Sequence, residues 1–443
     1  MAHEDKTFQI FGMEIQPDNP DLTEEELEKL KGLMLYQSML FKASFIPFVK
    51  DLMEMNRIEL SVDPEAKVSE WALRAKSALN FSTFIETLGL QLFSSAVYPG
   101  EQLLAENEFF KLNFIPARGK PLRALFHIGG YIPYSDNIFR LLPERNFFDH
   151  FIKNGISVYE MKCKCDKKNY NPGLLKLKLD HIIETVHHFS DKAFEHNSHQ
   201  KMILEGYCGT GINTYTSYLA DRENMDRKFS LITTFVSPVD GRKCNIFTEM
   251  FNVLNSLHIF SAFDVDGYSL STALDVVQER VFEKTPLGAM THGWKNKEYA
   301  NIEKIEDLNS FQRSELAAWY WISLKHGSYY PISADLYRFY LRLFRKGIGK
   351  DGVIPHKYHG KILNIKDLKE TGIKVVIFLG EKDNLVAPKT ADIMETLLGE
   401  QCVKIIHEKT GHVAYIFNPE RWESNNKRAF QPGIIETLLK YSE

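Results

Sequence analysis

Strands alternating with amphipathic helices predict an α/β protein, a mostly parallel sheet with helices on both faces. Three observations carry that expectation. From about residue 109, short apolar runs such as Ile156–Met161 and Phe229–Val236 recur between helical stretches, and near-continuous apolarity is what strands buried on both faces require. One run ends in a small-residue turn, Gly206-Tyr-Cys-Gly-Thr-Gly211, that leads into a helix. The last two runs are each followed by a residue suited to chemistry, first Asp383 and then His412.

The elements follow in order. Residues 1–98 read as a helical region. Asp21-Leu-Thr-Glu-Glu-Glu has the acids of a capped first turn, and Leu30, Leu33, Tyr36, Leu40 and Phe41 recur at helical spacing. A second helix begins near Ser69 and runs through Phe81, Phe84, Leu88 and Leu92. This prefix reads as packed on the rest of the chain or as serving association. Residues 99–443 form the α/β unit. Leu122–Ile128 reads as a strand ending at Gly129-Gly130, Phe147–Asn154 as a helix closed by Gly155, and Ile156–Met161 as the next strand. A helix over Leu174–Phe189 precedes the strand at Met202–Glu205, and strands follow at Phe229–Val236, Ile373–Leu379 and Val403–Ile406. Between Phe229–Val236 and Ile373–Leu379, about 241–345 breaks the rhythm. It is rich in aromatics, Phe247, Phe251, Trp294, Trp319 and Trp321 among them, and reads as an inserted lid or as a packed helical subdomain.

Composition narrows the partners. The 443 residues allow two or three domains or one large domain with insertions. A net charge of -4 gives no reason to expect nucleic acid or an anionic membrane. No apolar run approaches the roughly 18 residues of a transmembrane helix. The start, Met-Ala-His-Glu-Asp-Lys, lacks a secretion-signal order, so a cytoplasmic protein is expected. Five cysteines, Cys163, Cys165, Cys208, Cys244 and Cys402, are too few and oddly numbered for a disulfide framework, and Cys163-Lys-Cys165 is not a zinc spacing; no metal is expected.

Strand, sharp turn with a nucleophile and helix make up the nucleophile elbow of the α/β-hydrolase fold, where the order nucleophile, acid, histidine is the rule. Cys208, Asp383 and His412 obey it. Cysteine attacks as thiolate, with imidazole as its base. The acid holds the imidazole in one tautomer. The Gly209 amide, at the start of the following helix, is a candidate oxyanion donor, and the second donor is expected near Gly130. Alone, Cys208 reads as a buried small hydrophobe, Asp383 as a turn residue and His412 as a loop histidine; it is their order, each past a strand, that makes a catalytic set. Gly411 is expected to allow a tight turn that aims His412. Thr210, β-branched where a small residue is usual, is expected to strain the elbow. His181, His187, His188, His196 and His199 read as a solvated surface, and His127 as structural.

At this point the residues resemble the polyhydroxyalkanoate synthases, acyltransferases of the α/β-hydrolase fold with a Gly-x-Cys-x-Gly-Gly box. The resemblance covers about residues 99–420: Leu122–Gly130 with Leu141-Leu-Pro143, Phe147–Tyr159, Gly206–Gly211, Ile232-Thr-Thr-Phe-Val-Ser-Pro-Val-Asp240, Leu363–Ile373, Asp383–Pro388 and Gly411–Pro419. It implies Cys208 as nucleophile, Asp383 as acid and His412 as base. It implies a 3-hydroxyacyl-coenzyme A thioester as substrate rather than a bound cofactor, and a hydroxyacyl polymer as product. It further implies a homodimer and cytoplasmic polyester granules. Thr210 replaces a glycine of the box, and Lys162-Cys163 stands where the family has Ser-Trp. Two further readings stay open here: a cysteine-nucleophile thioesterase or esterase, and an inactive granule-associated member.

Overall fold

The computed structural model describes residues 8–10, 13–15, 64–92, 97–129, 136–142, 145–164, 172–244, 293–294, 296–323, 333–383 and 385–443. The helix expected over 21–41, Gly130, Cys165 and most of the aromatic stretch after Cys244 lie outside them.

An eight-stranded sheet forms the centre. It begins with two strands that periodicity did not mark, β1 (Gln102–Glu106) and β2 (Phe110–Ile115), which pair antiparallel. The six apolar runs become β3 (Arg123–Ile128), β4 (Ile156–Cys163), β5 (Met202–Tyr207), β6 (Phe229–Phe235), β7 (Lys374–Gly380) and β8 (Cys402–His407). These six are parallel to one another, and β2 joins them antiparallel along β4. The order across the sheet is β1-β2-β4-β3-β5-β6-β7-β8. The predicted architecture, a mostly parallel sheet with helices on both faces, is the one observed.

Both faces of the sheet are buried, which is why these strands lack alternation. On one face Phe126, Leu204, Ile232, Val375 and Ile377 pack against α3 (Leu179–His196) and α4 (Gly211–Ala220). On the other, Leu125, Ile203, Leu231, Val376 and Phe378 pack with α2 (Phe147–Lys153) and the helix Ile434–Tyr441. The start of α2 is fixed by a reciprocal cap: the Asn146 side chain accepts from the Asp149 N–H at 3.0 Å, and Asp149 accepts from the Asn146 N–H at 3.4 Å, an arrangement worth about 1 kcal/mol. The α3 helix begins later than Leu174. Pro172–Lys176 is a 3-10 turn, and Lys178 is extended, so the helical period restarts at Leu179.

The second face also carries buried charge. His127 on β3 stands opposite Glu160 on β4 and Glu205 on β5. His127 Nδ1 is bound to a Glu205 carboxylate oxygen, with neither side chain exposed. Arg140 binds Glu160 and also Glu101, the latter at 2.6 Å. His127 is therefore structural, as expected, ringed by Phe139, Phe147 and Phe148.

The chain between β6 and β7 holds α6 (Ser310–Ser323), α7 (Ala334–Lys346) and a hairpin of Val353–Tyr358 with Lys361–Asn364. From the N-terminal region, α1 (Pro64–Leu92) is a helix as predicted, whereas Phe8–Ile10 and Met13–Ile15 form a small antiparallel pair rather than helix. The partner of α1 is this insertion: Phe81, Phe84 and Ile85 cluster with Tyr299, Ile302, Leu308 and Leu316. The Ser77 hydroxyl and the Asn80 amide donate to the carbonyls of Asn296 and Tyr299. Among the described residues no helix is long and apolar enough to cross a membrane.

Candidate active site

β5 ends at Tyr207, and Cys208 takes a φ of +51°. An L-residue there is strained by about 1–2 kcal/mol, and the turn lifts the thiol off the end of the sheet. Two glycines make the turn sterically feasible. A Cβ on Gly206 would lie 2.8 Å from the Gly211 Cα and the Thr210 carbonyl oxygen; one on Gly211 would lie 1.9 Å from Ser237 Oγ. At Gly206 strand and helix approach too closely for a side chain, and at Gly211 the Ser237 side chain fills the space.

The strain expected at Thr210 is absent. Its backbone is helical, with φ −76° and ψ −15°. Its hydroxyl accepts from the Tyr207 N–H at 3.0 Å and donates to the Tyr207 carbonyl at 2.9 Å. The β-branched side chain thus ties the turn together, and the left-handed residue is the cysteine itself.

β7 delivers Asp383, whose side chain is buried. Asp383 Oδ1 accepts from the Leu385 and Val386 amides, both at 2.8 Å. Its Oδ2 is left for His412 Nδ1, also at 2.8 Å. β8 delivers His412 through a loop pinned where the Lys382 N–H donates to the Thr410 carbonyl at 2.8 Å. Gly411 does not provide the tight turn expected of it. The left-handed residue of this loop is Lys409, at φ +52°, and a Cβ on Gly411 would meet nothing nearer than 3.9 Å.

Cys208 lies near enough to the imidazole to act on its charge. Burial disfavours its charged form, but Cys208 and Asp383 outweigh that and raise the His412 pKa to about 10. The two neighbours thus favour the charged form of the imidazole. The other described cysteines differ: Cys163, Cys244 and Cys402 are buried, and burial pushes the Cys402 thiol up to about 12. Cys208 alone among the described cysteines is partly exposed.

The structure brings together the three residues picked from sequence, and Gly209 lies beside them in the 3-10 turn Cys208–Thr210 that runs into α4. Two neighbours escaped the sequence reading. The Tyr207 hydroxyl donates to the His412 carbonyl at 2.6 Å. The Tyr340 hydroxyl, from α7, donates to the Gly209 carbonyl at 2.9 Å. Both are tertiary contacts without a local signal. Of the histidines expected to be solvated, His188, His196 and His199 are exposed. His181 instead stacks on Phe109, and His187 Nε2 binds the Ser217 carbonyl at 2.8 Å, because their side of α3 is half-buried. No group among the described residues has the ligand set for a metal ion.

No protein-family model matches the chain, and no curated protein matches it. Solved structures do. A soluble variant of monoglyceride lipase from Saccharomyces cerevisiae is 12% identical with a TM-score of 0.46, over 79% of this chain and 96% of that one. An esterase from Thermogutta terrifontis is 12% identical, TM-score 0.40, over 80% and 98%. A carboxylesterase from Bacillus subtilis is 11% identical, TM-score 0.39, over 78% and 94%.

Proposed function

We propose that the protein is an acyl-transfer enzyme working through an acyl-cysteine at Cys208, with His412 as base, Asp383 as its orienting acid and Gly209 as an oxyanion donor. One observation carries this reading: a partly exposed cysteine at φ +51° lies near enough to His412 to act on its charge, and that imidazole is held by Nδ1 2.8 Å from a buried carboxylate. Attack of the thiolate on an acyl carbonyl places negative charge on oxygen near the Gly209 amide. Collapse expels the donor's thiolate or alkoxide, which takes the proton from the His412 imidazolium.

The donor we propose, on the motif resemblance, is a 3-hydroxyacyl thioester of coenzyme A. Its exchange onto Cys208 trades one thioester for another. The acceptor is then a hydroxyl group: His412 removes its proton, the oxygen attacks the acyl-cysteine, and the Cys208 thiolate leaves. On this reading the product is a hydroxyacyl polymer, and a homodimer at a cytoplasmic polyester granule is the setting implied. A second reading replaces the hydroxyl by water and yields free acid. It is favoured by the 12% exposure of the His412 side chain, which lets water reach the base. The relaxed, doubly bonded Thr210 speaks against an inactive elbow.

Incubation with 3-hydroxybutyryl-coenzyme A tests the proposal. Thiol release with an acyl adduct on the Cys208 peptide is the expected result, and Cys208→Ala abolishes both. Full turnover by Cys208→Ala would sink it. The mass of the soluble product, oligomer or monomeric acid, separates the two acceptors.

A further inference from the structure

The residue before the nucleophile is a tyrosine whose ring is buried and whose hydroxyl leaves its own strand. Tyr207 stacks on Phe235 with centroids 6.1 Å apart and meets Phe139 and Phe147 edge-on. From that cage its hydroxyl reaches the main-chain carbonyl of His412, 205 residues away, at 2.6 Å. Burial holds its pKa well above the usual tyrosine value, so it remains a donor. At its other end, the backbone N–H and C=O of Tyr207 are both taken by the Thr210 hydroxyl. Three short links thus run from the elbow turn, through Tyr207, to the histidine.

The Asp383 bond sets the rotation of the imidazole, but it does not fix where the His412 backbone stands relative to the sulfur. A hydrogen bond to the His412 carbonyl does, because it fixes the peptide plane from which the side chain departs. Cys208 is one bond along the chain from the same tyrosine. We propose that Tyr207 is a positioning residue: with its backbone clasped by the Thr210 hydroxyl, its own hydroxyl fixes the His412 main chain relative to the Cys208 sulfur. The inference rests on the reading of Cys208 and His412 as nucleophile and base. It turns Thr210 from a defect of the elbow into one end of a brace.

The test is the pH profile of Cys208 alkylation by iodoacetamide in the full-length protein, read by peptide mass. In Tyr207→Phe, which keeps the ring and loses one hydroxyl, the rate at neutral pH falls about 10- to 100-fold, the scale of an ångström-level misplacement. The profile moves toward that of an isolated thiol, while the melting temperature drops by no more than a few degrees. Thr210→Val acts in the same direction and Thr210→Ser restores the wild-type profile, whether or not the Phe variant folds. A wild-type rate and profile in Tyr207→Phe, or in Thr210→Val, overturns the brace. Because no acyl substrate is used, a donor that fails to label Cys208 counts against the proposed function alone.

Discussion

Two of the histidine–carboxylate pairs among the described residues could hardly differ more in setting. His412 and Asp383 sit on loops past the ends of β8 and β7, with the imidazole 12% exposed and a cysteine near enough to act on its charge. His127 and Glu205 sit in mid-strand on β3 and β5, fully buried, against phenylalanine rings. The residue types are nearly the same. What separates them is the location: a strand end admits a substrate and a third residue, whereas a strand centre admits neither. A histidine–carboxylate pair is thus a site only by virtue of its address in the fold.

The comparison can be broken by substitution. The largest effect is expected at the rim. Asp383→Asn removes the charge that steadies the imidazolium and lowers the rate of Cys208 acylation roughly a thousandfold or more, with a melting curve little changed; single-turnover thiol release measures it. Glu205→Ala should do the reverse. Removing the carboxylate that His127 Nδ1 binds leaves a buried polar group to be desolvated without it, at about 1–3 kcal/mol, so the urea midpoint falls while the alkylation profile of Cys208 in the folded protein stays that of the wild type. A rate loss with Glu205→Ala beyond the unfolded fraction would show that the two pairs are coupled.

The smallest expected effect concerns pH, and its sign differs between the two regions. Glu160, on the same row as His127, is pushed up by burial but pulled further down by Arg140, to about 2. A depressed carboxylate contributes stability above its unfolded pKa and loses it as pH falls from about 4.5 to about 2. His412 is raised to about 10, so its contribution is full below about 6.5 and is lost as pH rises through about 10. Glu160→Gln should flatten the acid side of the stability curve and His412→Asn the alkaline side. Denaturant titrations across both windows check the assignment, and a crossed result would refute it.

Much of this was legible in the letters because the chemistry sits where the period changes. Cys208, Asp383 and His412 each follow a run buried on both faces, so strand ends and candidate residues coincide. β1 and β2 were missed for the opposite reason. Their sequences, Gln-Leu-Leu-Ala-Glu and Phe-Lys-Leu-Asn-Phe-Ile, are half-exposed and mix polar with apolar. The hairpin after α7 is similarly polar and two-stranded. The buried charges were hidden inside apolar runs, and Arg140 reaches Glu160 from a 3-10 turn 20 residues earlier. Thr210 was misjudged because a pattern of small residues says where a side chain is tight, not what its hydroxyl can bind. The Gly130 donor lies outside the described residues.

The bond from Tyr340 to the Gly209 carbonyl bears on how such a chain can diversify. The segment between β6 and β7 looks like a cassette that could be exchanged while the sheet stays constant. It is instead stitched to the turn that carries Cys208. A graft from another chain inherits the obligation to present an aromatic hydroxyl at that carbonyl, or else the recipient's elbow must change with it. Insertion and elbow are therefore best regarded as a single heritable unit.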